Sequence, residues 1–253
     1  MFDNGLKYWA AVAGCVAGLS AGATDALAAE PSSVVELFTS QGCSSCPPAD
    51  KVLGKLADDP KILALSFSVD YWDYLGWKDT FANPDYSARQ RNYAASRGDN
   101  SVYTPQAVIN GRVHVVGSRE NDIRTEVRDL DRGGDGLTVR VTAELTGDRL
   151  VVTIPDGPKL HGADPTVWLV TYESRASVPI GRGENAGRTV TYSNIVRRLQ
   201  PIGMWSGADM RIEYPVSDLM LGGADGCAVL LQQNEGGHLG PIIGAAKVKL
   251  PTS

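Results

Sequence analysis

The sequence predicts an α/β domain over residues 31–132 followed by an all-β, sandwich-like domain over residues 137–253. Three observations point to it. A Cys-x-x-Cys pair stands where a strand-like run gives way to a helix-like run. Strand and helix patterns alternate through the first half, whereas the second half holds short strand candidates between turn signals. Between the halves, Asp131-Arg132-Gly133-Gly134-Asp135-Gly136 has the composition of a linker.

The cysteine pair organises the first half. Val34-Val35-Glu36-Leu37-Phe38 suits a buried strand, and Ala49 to Asp58 suits a helix with Val52, Leu53 and Leu56 on one face. Cys43-Ser44-Ser45-Cys46 therefore falls at a strand-to-helix turn, where backbone N–H groups and the positive end of a helix dipole stabilise a thiolate. Cys46, one turn on, is placed to close a disulfide, so the pair can store and release two electrons. A structural bridge, half of a zinc site and two buried thiols are the competing readings. Zinc is poorly served, because no second Cys-x-x-Cys exists and His114, His161 and His238 are scattered. A purely structural bridge would close so short a loop that it would constrain the unfolded chain little.

Composition sets outer bounds. A chain of 253 residues, 43% hydrophobic and with a formal net charge of −5, can bury a proper core and offers no basic footprint for nucleic acid. Residues 1–29 read as a secretory signal, with Lys7 ahead of an Ala/Gly-rich apolar stretch and Ala26-Leu27-Ala28 as a small-x-small cleavage site. Val12-Ala13-Gly14-Cys15 also resembles a lipoprotein acylation box. Either route exports the mature protein to the periplasm or beyond and leaves no membrane span after signal cleavage. Export favours disulfides. Cys227, in the apolar run Cys227 to Leu231, is then left over as a buried, inert thiol.

The remaining elements follow in order. Asp59-Pro60 stops the first helix, and Ile62 to Val69 forms a second strand, parallel to the first. Asp70-Tyr71-Trp72-Asp73-Tyr74-Leu75-Gly76-Trp77 concentrates aromatics that serve as core or as a wall beside the cysteines. Asn83-Pro84 starts a helix that runs to about Ser96; Arg89 and Arg91 on it are surface charges or a positive field near a thiolate. Ala107-Val108-Ile109, an Asn110-Gly111 turn and Arg112 to Val116 give a hairpin. Thr104-Pro105 precedes it, and a cis peptide is accessible there. Ser118 is expected to cap a last helix whose Ile123, Val127 and Leu130 share a side.

Strand, helix, strand, helical insert, hairpin and helix, with the cysteines at the first turn, resemble the thioredoxin pattern. Thr104-Pro105 matches the cis-proline site of that superfamily. The stretches Glu36 to Asp50, Val69 to Trp77 and Tyr103-Thr104-Pro105-Gln106, with Gly183-Glu184-Asn185-Ala186-Gly187-Arg188, are similar to a family of secreted bacterial proteins known as domain of unknown function 1223. The resemblance implies a thioredoxin-like domain and no established substrate. It implies Cys43 as the attacking sulfur, Cys46 as the resolving one and Pro105 as the residue that readies backbone for an extended substrate. Thr104, Tyr71, Trp72 and Trp77 would contact that substrate. The buried carboxylate of thioredoxins falls at Leu37 in this chain, so the neighbouring Glu36 serves as proton shuttle only if the strand bulges before Cys43.

Beyond the linker, Val139, Val141, Ala143 and Leu145 alternate with polar residues. Further strand candidates are Leu150 to Ile154, Val167 to Tyr172, Thr189 to Tyr192, Ile195 to Leu199, Met210 to Tyr214, Cys227 to Gln233 and Ile243 to Leu250. Gly183 to Arg188 is either a polar turn or an arm reaching the cysteines. The expected function is an exported thiol-disulfide oxidoreductase acting on protein or small-molecule thiols and disulfides, with no cofactor. The alternative is a non-catalytic binding or assembly module, its cysteines locked or holding Cu(I), which thiolates favour.

Overall fold

The computed structural model describes residues 1–2, 30–160 and 162–251. Apart from its first two residues, the expected leader lies outside the described residues, as does Cys15. The first half forms the elements its patterning requires. Strands β1 (Ser33–Thr39) and β2 (Ile62–Ser68) are buried at every residue, as continuous apolar runs demand of strands covered on both faces. They pair in parallel from Ser33 opposite Ile62 to Thr39 opposite Ser68, joined by α1 (Pro47–Ala57). Strand β3 (Gln106–Ile109) lies antiparallel to β1 and pairs with β4 (Val113–Val116). Their turn places Asn110 at φ 49° and Gly111 at φ 67°, the pair of left-handed positions that a two-residue hairpin loop needs.

Helix α2 (Pro84–Arg97) opens on Asn83, whose side-chain oxygen accepts the Asp85 N–H at 2.9 Å, and closes on Gly98 in the left-handed region. Helix α3 (Glu120–Gly133) starts later than the expected Ser118 cap. Arg119 holds the N-cap position without a side-chain cap, because a guanidinium has no acceptor to offer the first-turn N–H groups, and its own N–H turns back to the Val116 carbonyl at 2.9 Å.

The second half overturns the expectation of a thioredoxin-like α/β domain followed by a separate β-sandwich. Its strands are β5 (Thr142–Thr146), β6 (Arg149–Ile154), β7 (Ala163–Pro179), β8 (Thr189–Met204), β9 (Met210–Pro215), β10 (Gly226–Glu235) and β11 (His238–Lys249), with a short α4 (Val216–Leu219) after β9. Four of them join the first half in one mixed eight-stranded sheet, ordered β11-β10-β7-β8-β2-β1-β3-β4. The other three, β5-β6-β9, form a small second sheet. Without β8 the fully buried β2 would present an open edge. β8 covers it in parallel, with Ser66 opposite Ile195, and the Asn194 amide donates to the Ala64 carbonyl at 2.8 Å. The molecule is thus mostly β, with four α-helices among the described residues.

Packing follows the shared sheet. Val34, Phe38, Leu65 and Phe67 from the first half and Val170, Val196, Leu230 and Ala245 from the second bury one another in a single core. Each such side chain contributes about 1.5–3 kcal/mol on burial, so neither half keeps its core without the other. On the opposite face, Leu53 and Leu56 of α1 and Ile123 of α3 cover Leu37 and Ala107. A third cluster, with Val152, Leu169 and Leu231, joins the small sheet to the large one. No helix among the described residues is long and apolar enough to cross a membrane.

Candidate functional site

β1 ends at Thr39 and α1 begins at Pro47, so residues 40–46 form a loop at the carboxyl end of the first strand. Cys43 and Cys46 are joined in a disulfide with Cα atoms 5.4 Å apart. Two backbone bonds shape the loop, Cys43 N–H to the Ser40 carbonyl and Cys46 N–H to the Cys43 carbonyl, each 3.2 Å. Cys46 is the N-cap of α1, and Pro47 and Pro48 fill the first helical positions. Prolines carry no N–H, so the helix end offers a thiolate its dipole but fewer donors than an ordinary N-terminus. A hydroxyl supplies the local polar contact instead, with Ser45 Oγ 3.3 Å from Cys43 Sγ. Cys43 is 2% exposed and Cys46 fully buried, while Ser44 and Ser45 between them face solvent.

The same hydroxyl ties the cysteines to the proline. Ser45 Oγ donates to the Thr104 carbonyl at 3.5 Å, and the Thr104–Pro105 bond is cis. A Cβ placed on Gly117 would stand 3.3 Å from both Pro105 Cβ and Ala49 Cβ, so the proline and the first turn of α1 converge there. Trp72 closes the other side. Its indole N–H donates to Thr104 Oγ1 at 2.7 Å, and it passes so close to Gly42 that a side chain there would sit 3.1 Å from Trp72 Cβ and 3.2 Å from its carbonyl oxygen. Trp77 donates to Gln41 Oε1 at 2.8 Å. Tyr71 turns toward α2 and donates to Gln90 Oε1 at 3.0 Å. Cys43, Cys46, Thr104, Pro105, Trp72 and Trp77 are therefore gathered around one loop, with Tyr71 at its margin.

Glu36 is elsewhere. β1 keeps an unbroken register with β2, so no bulge precedes Cys43 and Glu36 points to the face opposite Leu37. There it accepts from Arg89 Nε at 2.7 Å and from the Tyr93 hydroxyl. Gln232 of β10 completes the group, its Oε1 accepting from Arg89 at 3.0 Å. Arg89 is neither a surface charge nor a field on the cysteines. It is the buried counter-ion of Glu36 and stacks near the Phe67, Tyr93 and Trp168 rings.

Two buried carboxyl groups, Asp50 and Asp79, lie on the cysteine side. Asp50, in the first turn of α1, is 3% exposed and accepts from Thr39 Oγ1 at 2.8 Å. Its other oxygen is buried with no partner among the described residues. Burial, with repulsion from Asp79, pushes its pKa up to about 8 despite the Thr39 bond. Asp79 accepts the Gln41 and Phe81 N–H groups, each at 2.8 Å. Burial raises it only to about 6, because these two amides favour its charged form.

The β7–β8 hairpin tip reaches the loop from the second half. Asn185, 1% exposed, donates from Nδ2 to the Gln41 and Cys43 carbonyls, both at 2.9 Å. Glu184 accepts the Ser44 N–H at 3.3 Å. Among the described residues no group of three or more His, Cys, Asp or Glu could hold a metal ion. Cys227 is buried in β10, and burial pushes its thiol up to about 12.

The family description "Protein of unknown function (DUF1223)" matches residues 34–232. The chain belongs to the DUF1223 family. No curated protein matches it. A crystal structure of an Agrobacterium tumefaciens protein is similar at 36% identity and a TM-score of 0.79, covering 88% of this chain and 96% of that one. HBP35 of Porphyromonas gingivalis shares the fold at 12% identity and a TM-score of 0.58, over 87% of this chain and 76% of that one.

Sequence reasoning missed Asp50, Asp79 and the part played by Asn185 in this DUF1223 chain. A signal for Asp50 was available. It interrupts the otherwise apolar stripe of Ala49, Leu53 and Leu56, where a charged residue is out of place unless it is neutral or partnered. Nothing local marks Asn185 or Asp79, whose partners lie across the fold.

Proposed function

We propose that this DUF1223 protein is an exported thiol-disulfide oxidoreductase that exchanges its Cys43–Cys46 bridge with thiols of a protein or small-molecule substrate. The observation that carries the reading is the seat of the disulfide. It lies at a helix dipole's positive end, beside an exposed dipeptide, with Ser45 linking Cys43 to the carbonyl ahead of Pro105. A buried bridge serving stability alone has no use for that setting.

In the oxidising direction a substrate thiolate attacks Cys43 Sγ. A substrate–Cys43 disulfide forms, and the Cys43–Cys46 bond breaks with its electron pair on Cys46. A second substrate thiolate then attacks the substrate sulfur and expels Cys43 as thiolate. The substrate has lost two electrons and the cysteines have gained them; reduction runs the same steps backward. Thr104, Trp72 and Trp77 frame the approach. The leader composition of residues 1–29 supports a periplasmic or secreted location.

The test is Cys46→Ser expressed with its leader and quenched in acid. A mixed disulfide through Cys43, absent from Cys43→Ser, is expected on a non-reducing gel. Failure to form any adduct, with a wild-type bridge that exchanges with neither dithiothreitol nor glutathione, sinks the reading.

A further inference from the structure

Four residues separate Cys46 from Asp50 in α1, which puts them on one face, and helical side chains lean toward the preceding turn. The Asp50 N–H closes that turn on the Cys46 carbonyl at 3.1 Å, and both side chains are buried on it. Cys46 is the sulfur that leaves when Cys43 is attacked, and it is sealed from solvent. A thiolate created there needs a proton, and bulk water does not reach it.

The neighbours of Asp50 decide its protonation. Thr39 donates to Oδ1, so a proton on the carboxyl belongs on Oδ2, the oxygen with no partner. Asp79, its acidic neighbour, is already served by two backbone amides. Where two carboxyl groups share a buried space, the better-solvated one ionises and the other keeps its proton. Tyr192 of β8, a buried neutral phenol, is the third titratable group of this cluster. No cation pairs with Asp50 among the described residues.

We propose that Asp50 is the acid–base partner of Cys46, giving a proton to its sulfur when the Cys43–Cys46 bond opens and taking it back when the bond re-forms. The role rests on the exchange reaction proposed above. In the opening step the electron pair of the broken bond goes to Cys46 Sγ and the Asp50 proton follows it, leaving a carboxylate. In the closing step the carboxylate removes the thiol proton as Cys46 attacks the substrate–Cys43 disulfide. Burial holds the Asp50 carboxyl well above the usual carboxylate range, so it carries a proton at neutral pH to give to the sulfur.

The experiment measures reduction of the oxidised full-length mature protein by dithiothreitol between pH 6 and 10, for wild type and Asp50→Asn, with rates corrected for reagent thiolate. At pH 6–7 the variant should be slower by about a hundredfold, the lower end of what a positioned acid–base group supplies. The wild-type inflection near pH 8 should vanish with it. A second measurement needs no Asp50 variant. Carbon-13 titration of the Asp50 carboxyl should show a coupled step in the reduced protein that is missing from reduced Cys46→Ala, where only the coupling to Asp79 remains. Equal rates for wild type and Asp50→Asn, or identical titrations with and without the Cys46 thiol, overturn the assignment while exchange itself stands. A wild-type bridge inert to dithiothreitol instead removes the oxidoreductase reading, and this role with it.

Discussion

Asn185 donates a hydrogen bond to the carbonyl of Cys43 at 2.9 Å from 142 residues downstream, and a second of equal length to Gln41. A β-hairpin tip from the second half thereby holds the cysteine loop of the first half by its backbone. Its own Oδ1 is occupied by Arg188 at 3.1 Å, so the amide cannot turn over without losing all three contacts. Asn185→Ala should lower stability by about 2 kcal/mol, because two carbonyls lose buried donors. Urea denaturation of the oxidised protein checks this. Asn185→Asp, which cannot donate and brings a charge to the same carbonyls, should cost more than alanine. An unchanged midpoint for both variants would show the clamp to be idle.

The Glu36–Arg89 pair is a buried ion pair on the sheet face away from the cysteine loop. Both groups are buried, bonded at 2.7 Å, and satisfied further by Tyr93 and Gln232. Arg89→Met removes one charge and strands the other, at a cost of about 3–5 kcal/mol. Adding Glu36→Gln to that variant should restore much of the loss, since the remaining buried charge disappears. Double-mutant-cycle denaturation measures the coupling. Glu36→Gln alone should leave the pH profile of dithiol reduction as in wild type, because Glu36 lies on the face away from the cysteines.

What was readable in the sequence and what was not divide by range of interaction. The caps of α2, the Asn110-Gly111 turn and the seating of Cys43 and Cys46 between β1 and α1 are local chemistry, written in consecutive residues. The joining of the two halves is not. It depends on Ile195 meeting Ser66 and on Asn194 reaching Ala64, and no strand pattern announces its partner. The second half also disguised its strand lengths. Thr189 to Tyr192 and Ile195 to Leu199 looked like two strands because Ser193-Asn194 interrupts the apolar alternation, yet β8 runs through both, and the interruption is where it docks on β2. The same limit explains Glu36 and Asp50. Period-two reasoning turned Glu36 away from Leu37, and the charge that breaks the apolar stripe of α1 marks Asp50, but its Thr39 partner and its acidic neighbour Asp79 are set by tertiary packing.

Asp50 and Asp79 should also make stability fall with rising pH over a defined window. An unfolded-chain aspartate titrates near 3.9, whereas in the native protein burial holds Asp50 near 8 and Asp79 near 6. Between those values the folded state binds more protons than the unfolded one, so unfolding free energy decreases as pH rises. The favourable contribution is complete below about pH 4, shrinks through 6 as Asp79 ionises natively, and is gone above 8. Asp99, held near 2 by Arg97, acts with the opposite sign but below this window. Wild type should therefore lose on the order of 5 kcal/mol between pH 5 and pH 9 from these buried carboxyls. Asp50→Asn keeps an acceptor for Thr39 and has nothing to ionise, so its loss should be well under half as large. Urea midpoints at pH 5, 7 and 9 for the two proteins make the comparison, and parallel curves would mean that Asp50 ionises in the fold as readily as in the unfolded chain.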